Sequence, residues 1–455
     1  MAASGRELPA YPGPMAVQVK ARALTRRPPP EPEHLSYGTF AAFLGIWILV
    51  LTALNQWGSA INDRLTMKVL APPLYGRFEL GLSPRLVLPI AMAAVVIGFG
   101  GRVVQKLAWR PLLGAAALAA VTWAMALALV GPAGLADPLE RHTDYLANLP
   151  LVGDVGEFLG DYAGGLEKYT VHVEGHPPGA LLLFVGLNRM GLGGAGPAAA
   201  LILLAAASMV PAVLLSIREV AGEMHARRAA PFLVLTPAAV WVATSMDALF
   251  MAAGAWGICL MAVAMKRTGA KSDAAALASG AVFGVGLFMS YGLVPLGLVV
   301  IALAVGHRRI RPLVVGMCTL LLVAGIFAAA GFWWFDGLGA TMERYEAGVA
   351  SQRPYSYFLI ANLAALSVAL GPAVLAGLAR LRHRGMWILC GGALAAVAVA
   401  DLSGLSKGEV ERIWLPFTPW LTLAAASLPI AVVRSMLGAQ SAVALAIQVG
   451  VRTQW

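Results

Sequence analysis

Long apolar segments recur along almost the whole chain. Thirteen have helical length, at approximately 38–55, 85–101, 109–131, 178–192, 197–217, 230–245, 247–265, 274–290, 291–306, 312–334, 357–380, 386–401 and 413–435. Hydrophobic residues make up 59% of the chain, against roughly 45–50% in soluble domains. Backbone groups in lipid must pair within their own segment, and no strand alternation suggests a barrel. We therefore expect an all-α polytopic membrane protein of about 12–13 transmembrane or re-entrant helices.

The two ends of the chain are predicted to be tails around one membrane domain. Residues 1–37 contain Lys20, Arg22, Arg26 and Arg27. No apolar segment precedes a small-residue cleavage site there, so we predict a basic cytoplasmic tail without a cleaved signal peptide. Residues 38–435 form the predicted membrane domain and 436–455 a C-terminal tail. The cysteines, Cys259, Cys318 and Cys390, lie in apolar runs, which indicates buried thiols and no disulfide framework.

The distribution of cations predicts the orientation in a cell membrane. Five short connectors collect Lys and Arg, as cytoplasmic loops do; they hold Arg102/Lys106/Arg110, Arg218/Arg227/Arg228, Lys266/Arg267/Lys271, Arg308/Arg309/Arg311 and Arg380/Arg382/Arg384. The net charge of +10 is then a topology signal and an affinity for anionic lipid, and we expect no nucleic-acid partner. With the N-terminus in the cytoplasm, the loops 56–84, 132–176, 331–356 and 402–412 face outward.

One apolar segment does not fit this count. His176 outside and Arg227 inside require an odd number of crossings, yet 178–192 and 197–217 both lie between them. The first is short and precedes a glycine-rich stretch. Irregular backbone at membrane depth is tolerated beside protein or a water-filled cavity, so we predict that 178–192 is a re-entrant or interfacial helix on the outer side.

The loop 132–176 concentrates ionisable side chains. Its acids and histidines are Asp137, Glu140, Asp144, Asp154, Glu157, Asp161, Glu167, Glu174, His142, His172 and His176. Asp144 follows the membrane closely, where a carboxylate can act as general base on a hydroxyl. The alternative is a solvated charge run that caps a short helix. Glu157 and Asp161 share one face if helical, and they are supporting candidates because a cation or substrate could lie between them.

The loop ends in His176-Pro177-Pro178-Gly179. Two prolines hold His176 extended and start the next helix, while Gly179 permits a close approach of backbone or ligand. We expect His176 to donate to a phosphate or to orient a carboxylate. The alternative is a plain helix start with a satisfied histidine.

Further candidates lie in the later outer segments. Arg412 and Lys407 could bind a phosphate, with Glu411 or Glu409 fixing the guanidinium fork, although interfacial anchors have a similar composition. Segment 331–356 adds Arg344 and Arg353 among aromatic residues that suit sugar rings or an aromatic belt. Asp247 and Tyr291 are expected at outer helix turns, where they would support the same site.

Three motifs together resemble one family. They are the acidic loop ending in His-Pro-Pro, Ser-x-Asp-x-x-Phe (Ser245, Asp247, Phe250), and Glu-Arg-x-x-x-Pro (Glu411, Arg412, Pro416). Over roughly Asp137 to Trp420 the chain resembles the GT-C superfamily of integral membrane glycosyltransferases, and its Ala/Gly/Arg-rich composition is similar to actinobacterial relatives. The resemblance implies a polyprenyl-phosphate-sugar donor. It also implies Asp144 as base or metal ligand, and lipid-phosphate binding by Arg412, with Arg344, Arg353 and His176.

The sequence departs from the family pattern at two places. The large loop follows the third helix rather than the first, so Asp63 in the smaller loop is a second candidate base. The acidic loop also lacks an Asp-x-Asp motif, which leaves a divalent cation possible; a nucleotide cofactor is not expected.

The expected activity is transfer of a hexosyl or pentosyl group, such as mannose or arabinose, from a polyprenyl phosphate to a cell-envelope glycan or glycolipid on the outer face. The alternatives are a lipid-linked-sugar flippase or transporter and a non-catalytic envelope scaffold. Fixed charges within the apolar segments are scarce, which weakens the transporter hypothesis because ion-coupled transporters keep such groups near mid-membrane.

Overall fold

The computed structural model describes residues 37–65, 67, 69–131, 134–243 and 245–453. Nearly all of the predicted basic tail, 1–36, lies outside these residues. The chain divides into two units, Met1–Trp47 and Ile48–Trp455. In the first unit the described residues belong to the beginning of the first helix.

Helices make up most of the described chain. The first ten are α1 (Tyr37–Asn62), α2 (Val87–Lys106), α3 (Trp109–Ala128), α4 (Asp137–Glu140), α5 (Val155–Asp161), α6 (Val171–Glu174), α7 (Gly179–Arg189), α8 (Ala195–Ala221), α9 (Glu223–Val234) and α10 (Met246–Lys266). The next ten are α11 (Gly269–Leu287), α12 (Gly297–His307), α13 (Arg311–Ala329), α14 (Trp334–Ala347), α15 (Tyr355–Leu370), α16 (Pro372–Arg380), α17 (Arg384–Leu402), α18 (Val410–Ile413), α19 (Thr418–Thr422) and α20 (Val433–Gly450).

Short 3-10 helices and one small sheet complete the secondary structure. The 3-10 helices are Pro84–Leu86, Tyr145–Leu151, Leu166–Lys168, Pro237–Trp241, Tyr291–Leu296, Val349–Gln352, Leu415–Phe417, Leu423–Ser427 and Ile430–Val432. Strand β1 (Arg77–Phe78) pairs antiparallel with β2 (Val451–Arg452), with Arg77 opposite Arg452. The predicted all-α polytopic class is confirmed.

Eight helices of the described chain are long and apolar enough to cross a membrane, and a ninth is added if α15 and α16 count as one span. This pair bends by 99° at Gly371, whose φ of 75° favours glycine. Among the eight, α10 is the most enclosed, because 78% of its most apolar 18-residue stretch is buried. Asp247 lies in the first turn of α10 and therefore at one end of the most enclosed helix.

Two helices, α7 and α20, coincide with segments for which the sequence predicted a special role. Helix α7 has 11 residues, which rise about 16 Å, whereas a bilayer core is about 30 Å thick. It is therefore too short to cross alone, and its re-entrant or interfacial position stays a prediction. At the other end, most of the predicted tail 436–455 forms α20, which lies within the candidate span Ile430–Gly450.

The cationic connectors and the polar loops lie at opposite ends of α10. Near its last turn, Arg309 donates to the carbonyl of Met265 at 2.8 Å. At the same end Arg267 pairs with Glu219 in the last turn of α8 at 3.2 Å, and Arg227 of the following helix donates to the carbonyl of Leu107 at 2.9 Å. Near its first turn, Asp247 meets the segment that carries Arg412. This separation of cationic connectors from polar loops is the pattern that the sequence predicted.

Candidate active site

The first turn of α10 holds a buried ion pair. Ser245 caps the helix, and its hydroxyl donates to Oδ2 of Asp247 at 2.8 Å. The same carboxylate oxygen lies 3.3 Å from Nη1 of Arg412. Asp247 is 5% exposed and Arg412 9%. A buried charge is tolerated when it is paired and hydrogen-bonded, so the contact between Asp247 and Arg412 compensates the burial of both side chains.

Arg412 has a second carboxylate partner. Nη2 of Arg412 lies 3.6 Å from Oε2 of Glu409. Glu409 has a left-handed φ of 64° and follows Gly408, whose φ is 93°; this turn places it beside Arg412. Burial by itself would lower the pKa of Arg412, but the carboxylates of Asp247 and Glu409 outweigh burial and hold the pKa above its usual value. Arg412 is therefore a permanent cation.

Asp144 caps the turn Tyr145–Leu151 and contacts a histidine. Its Oδ1 accepts the backbone N–H of Tyr145 at 2.6 Å, and its Oδ2 lies 3.2 Å from Nδ1 of His172. The side chains of Asp144 and His172 are each 14% exposed. The capping role suggested as the alternative for Asp144 is thus present, but one carboxylate oxygen serves it and the other faces His172.

Asn148 fixes this arrangement. It is fully buried. Its amide nitrogen donates to the backbone carbonyl of Asp144 at 2.9 Å and to the hydroxyl of Thr170 at 2.7 Å. Its carbonyl oxygen accepts the backbone N–H of Thr170 at 2.9 Å. Thr170 precedes α6, which carries His172, so Asn148 joins the two segments that present the Asp144 and His172 pair.

His176 differs from the expected phosphate donor. Its Nδ1 lies 2.7 Å from the backbone carbonyl of His172. A carbonyl only accepts, so Nδ1 carries the proton and Nε2 keeps a lone pair in the neutral ring. Burial lowers the pKa of His176 to about 4, so the ring is neutral near pH 7. It therefore offers an acceptor, which suits a hydroxyl and not a phosphate oxygen.

Tyr145 lies between the ion pair of Asp247 with Arg412 and the pair of Asp144 with His172. Its ring packs between His176, at a centroid distance of 6.0 Å, and Phe184, at 5.9 Å. Burial raises the pKa of Tyr145 well above its usual value, and the carboxylates of Asp247 and Asp144 raise it further. The charge of Asp144 also acts on Arg412. The ring of His176 also lies 5.2 Å from that of Phe250, so the acidic loop packs beside the first turns of α10, where Asp247 pairs with Arg412 of α18.

The other predicted cations bind backbone carbonyls or, in the case of Arg344, a largely buried acid. Arg353 is 7% exposed; its Nε donates to the carbonyl of Met67 at 3.0 Å and its guanidinium to the carbonyl of Lys407. Nζ of Lys407 donates to the carbonyl of Ser351 at 2.9 Å. Arg344 pairs with Glu174 at 2.8 Å, with 42% of its side chain exposed. These contacts join the loops at this end of the helices.

Glu411 is directed away from the Arg412 fork. It is fully buried, and its Oε1 accepts the backbone N–H of Tyr75 at 2.7 Å. Burial raises the pKa of Glu411 to about 7. Of the two glutamates that the sequence offered as partners of Arg412, Glu409 therefore makes the ion pair, and Glu411 holds the loop that contains Tyr75.

Three predicted supporting residues and the second candidate base lie elsewhere. Glu157 and Asp161 are exposed on α5, and Asp63 is exposed after α1. Tyr291 packs edge-on against Trp334 at a centroid distance of 5.1 Å. Of the predicted supporting set, Asp247 is the residue that contacts Arg412.

Two residues of the cluster were not selected from the sequence: His172 and Asn148. The spacing of His172, four positions before His176, is the signal that could have found it, because such residues share a helical face. Asn148 has no comparable signal. Within the described ranges, no group of three or more His, Cys, Asp or Glu side chains is arranged to hold a metal ion.

Comparisons with known proteins give structural similarity alone. No family model and no curated protein matches the chain. The crystal structure of apo ArnT from Cupriavidus metallidurans is 14% identical, with a TM-score of 0.40 over 60% of this chain and 54% of that chain. The Archaeoglobus fulgidus oligosaccharyltransferase, in complex with zinc and sulfate, is 15% identical, with a TM-score of 0.44 over 74% of this chain and 51% of that one.

The chain thus spans about half the length of each solved structure. Both similarities are weak and partial.

Proposed function

We propose that this chain is a membrane glycosyltransferase of the GT-C type, which moves a sugar from a polyprenyl phosphate to a cell-envelope glycan or glycolipid. The observation that carries the proposal is that the acidic loop and the segment of Arg412 meet at the start of α10, where the ring of His176 lies 5.2 Å from that of Phe250 and Asp247 pairs with Arg412. A permanent cation suits a lipid phosphate, and a carboxylate beside it suits activation of a hydroxyl. The three sequence motifs of the family lie in the same cluster.

The reaction would be a direct displacement at the anomeric carbon. The acceptor oxygen forms the new bond while the bond to the phosphate oxygen breaks, and its electron pair stays on the phosphate. Arg412 stabilises this developing charge, which is the main electrostatic task. Asp144 is the carboxylate on which removal of the acceptor proton depends. The Nε2 lone pair of His176 would accept a hydrogen bond from a sugar hydroxyl.

The orientation follows from the cationic connectors. They contact one another at the end of α10 opposite Asp247, and such connectors favour the cytoplasm. We therefore propose that the cluster faces outward from the cell membrane, with the N-terminus inside. Membrane lipids surround the helices, and the donor lipid would approach from the bilayer.

A transfer assay tests the proposal. The purified protein in liposomes is supplied with radiolabelled polyprenyl-phosphate mannose or arabinose and with glycan acceptors, and labelled product is measured. Arg412→Ala and Asp144→Asn should each abolish transfer in the fraction of protein that elutes as a folded species from size-exclusion chromatography in detergent. Arg77→Ala is the control, because Arg77 is an exposed arginine paired with Glu79.

Full activity in either site variant would refute that residue's role. Absence of transfer by the wild-type protein from every polyprenyl-phosphate sugar supplied would refute the function itself. Movement of labelled donor between leaflets without transfer would instead support the flippase alternative.

A further inference from the structure

We propose that residues 77–82, here called the ribbon, lie in the interfacial layer of the bilayer, with the side chains of Phe78, Leu80 and Leu82 inserted among phospholipids. The ribbon belongs to the loop 56–84, which the sequence predicts to face outward. The inference goes beyond the proposed function and is independent of any transfer activity. It assigns a lipid-binding surface to an extended segment between the first two candidate spans.

The first part of the ribbon is a strand with a defined register. Arg77 and Phe78 form β1, which pairs with β2 so that Arg77 lies opposite Arg452 and Phe78 lies opposite Val451. Residues directly opposite each other in an antiparallel pair share one face of the sheet. Arg77 and Arg452 therefore lie on one face, and Phe78 and Val451 lie on the other.

The ribbon continues as an extended chain beyond the strand. The backbone N–H of Glu79 donates to the carbonyl of Gly450 at 3.1 Å, and that of Gly81 donates to the carbonyl of Val449 at 2.8 Å. Both acceptors lie in the last turn of α20, where carbonyl groups lack partners within the helix. Because N–H groups two residues apart reach the same neighbour, alternate side chains of the ribbon lie on opposite faces.

One face of the ribbon carries three charges that bind one another. The carboxylate of Glu79 lies 2.6 Å from the guanidinium of Arg77 and 2.6 Å from that of Arg452. Both arginines are exposed. Paired charges at exposed positions are suited to water, so this is the face of the ribbon that meets solvent.

The opposite face is apolar and exposed. Phe78 is 62% exposed, Leu80 74% and Leu82 73%. Single exposed apolar residues are common on protein surfaces, whereas adjacent large ones mark a surface that another molecule covers. Three such side chains at alternate positions of one short segment form a patch of this kind.

The patch continues along the chain into a surface that faces lipid. Helix α2 begins five residues after Leu82, and its first turn exposes Val87, Leu88 and Ile90. This helix belongs to the candidate span Pro84–Lys106, of which 17% of the most apolar stretch is buried within the protein. A span with so little protein around it is covered by lipid, and the same lipid reaches the neighbouring ribbon.

The ends of the spans set the depth of the ribbon. It lies between the end of α1 and the start of α2, and irregular backbone is not tolerated against lipid in the hydrocarbon core. In the interfacial layer, apolar side chains reach the acyl chains while a polar face stays in water. Arg85 is exposed beside the ribbon, and its guanidinium donates to the carbonyl of Leu129 at 3.3 Å, just after α3. An arginine at the end of two spans is placed to meet anionic headgroups.

The ribbon is joined to the segment of the candidate site. Tyr75 precedes Arg77 by two residues, and its backbone N–H donates to Oε1 of Glu411 at 2.7 Å. Glu411 is adjacent to Arg412. The inserted ribbon therefore fixes the depth of the Arg412 segment relative to the bilayer surface.

Spin labelling tests the depth of each face. In the full-length protein, Cys259, Cys318 and Cys390 are replaced by alanine, and a single nitroxide is attached after Phe78→Cys, Leu80→Cys, Leu82→Cys or, on the opposite face, Arg77→Cys. The lipid reference is Leu321→Cys on α13 and the water reference is Glu157→Cys on α5, both at exposed positions. The proteins are studied in liposomes of phosphatidylcholine and phosphatidylglycerol. Collisions are measured with oxygen, which concentrates in lipid, and with a nickel chelate, which stays in water.

The ratio of oxygen to chelate collisions should alternate along the ribbon. At positions 78, 80 and 82 it should approach the ratio of the Leu321 reference, and at 77 it should approach that of the Glu157 reference. A ratio at 78, 80 and 82 equal to the Glu157 reference would place this face in water and overturn the proposal. Few collisions with both reagents would show that protein covers the face, as in a pair of copies of this chain, and would overturn it as well.

A second measurement uses the wild-type protein and so does not depend on the folding of variants. The same liposomes are irradiated with a carbene precursor that dissolves in the bilayer, and tryptic peptides are analysed by mass spectrometry. Trypsin releases Phe78–Arg85 from the ribbon and His142–Lys168 from the acidic loop. The first peptide should be modified more than the second, and equal modification of the two would overturn the proposal.

Discussion

The guanidinium of Arg412 lies 3.3 Å from the carboxylate of Asp247, and both side chains are almost completely buried. One residue belongs to a four-residue helix and the other to the first turn of α10. The pair joins the cluster to the most enclosed helix. The two opposite charges compensate each other in this buried position, and the coupling free energy of the pair can be measured.

A double-mutant cycle tests this ion pair. We expect Arg412→Ala to destabilise the protein by about 3–5 kcal/mol, because it leaves Asp247 as an uncompensated buried charge. The double variant Arg412→Ala/Asp247→Ala should be more stable than the sum of the single effects by about 1–3 kcal/mol. Unfolding in detergent by denaturant titration supplies these free energies.

An exposed pair provides the comparison for this cycle. Arg311 and Asp273 lie 2.8 Å apart, but the arginine side chain is 70% exposed. Their coupling should be about 0–1 kcal/mol. Equal coupling in the two pairs would contradict the argument from burial.

Glu411→Gln should stabilise the protein at high pH. The pKa of Glu411 is raised from 4.5 to about 7, so ionisation is disfavoured in the folded state. Stability is therefore lost as the pH rises from about 4.5 to 7, and the loss is complete above pH 7. Glutamine keeps the acceptor for Tyr75 without this charge, and the gain at pH 8 should be about 1–3 kcal/mol.

Melting temperatures between pH 5 and 8 measure this effect. The difference between Glu411→Gln and the wild type should grow with pH. Glu343→Gln, at an exposed position of α14, should show no such growth. A difference that stays constant with pH would refute the ionisation argument.

Asn148→Ala should damage both stability and transfer. The substitution removes the partners of the Asp144 carbonyl and the Thr170 N–H, and each buried group left unsatisfied costs about 1–3 kcal/mol. We expect a lower melting temperature together with a fall in kcat, because Asp144 and His172 lose their common support. A normal kcat in a folded variant would show that this support is dispensable.

Gly179→Ala tests the close approach at the start of α7. The backbone N–H of Gly179 donates to the carbonyl of Phe288 at 2.8 Å, and an added Cβ would clash with that carbonyl. The variant should be clearly destabilised in a thermal unfolding experiment. Gly186→Ala is the control on the same helix, where a Cβ meets open space; it should be neutral or stabilising by about 0.5–1 kcal/mol.

Some of the site was accessible from the sequence because its signals are local. Arg412 and Asp144 were selected from charge and position, and Gly179 from its place after two prolines. His172 and Asn148 were missed because their roles depend on contacts between 144–148 and 170–172, which local spacing does not encode. Likewise, both Glu409 and Glu411 were plausible partners of Arg412, and the left-handed turn at Glu409 decided between them.

The sequence by itself determined that the chain is an all-α polytopic membrane protein and which connectors carry the cations. Hydrophobic length and charge are properties of single segments, so no contact between segments is needed to infer them. Only the tertiary structure decided that Asp144 faces His172, that Arg412 pairs with Asp247 and that Glu411 holds the loop of Tyr75. Those assignments depend on which helix ends meet and on which polar groups are buried together, because a charge removed from water is tolerated when its partner is supplied by another part of the chain.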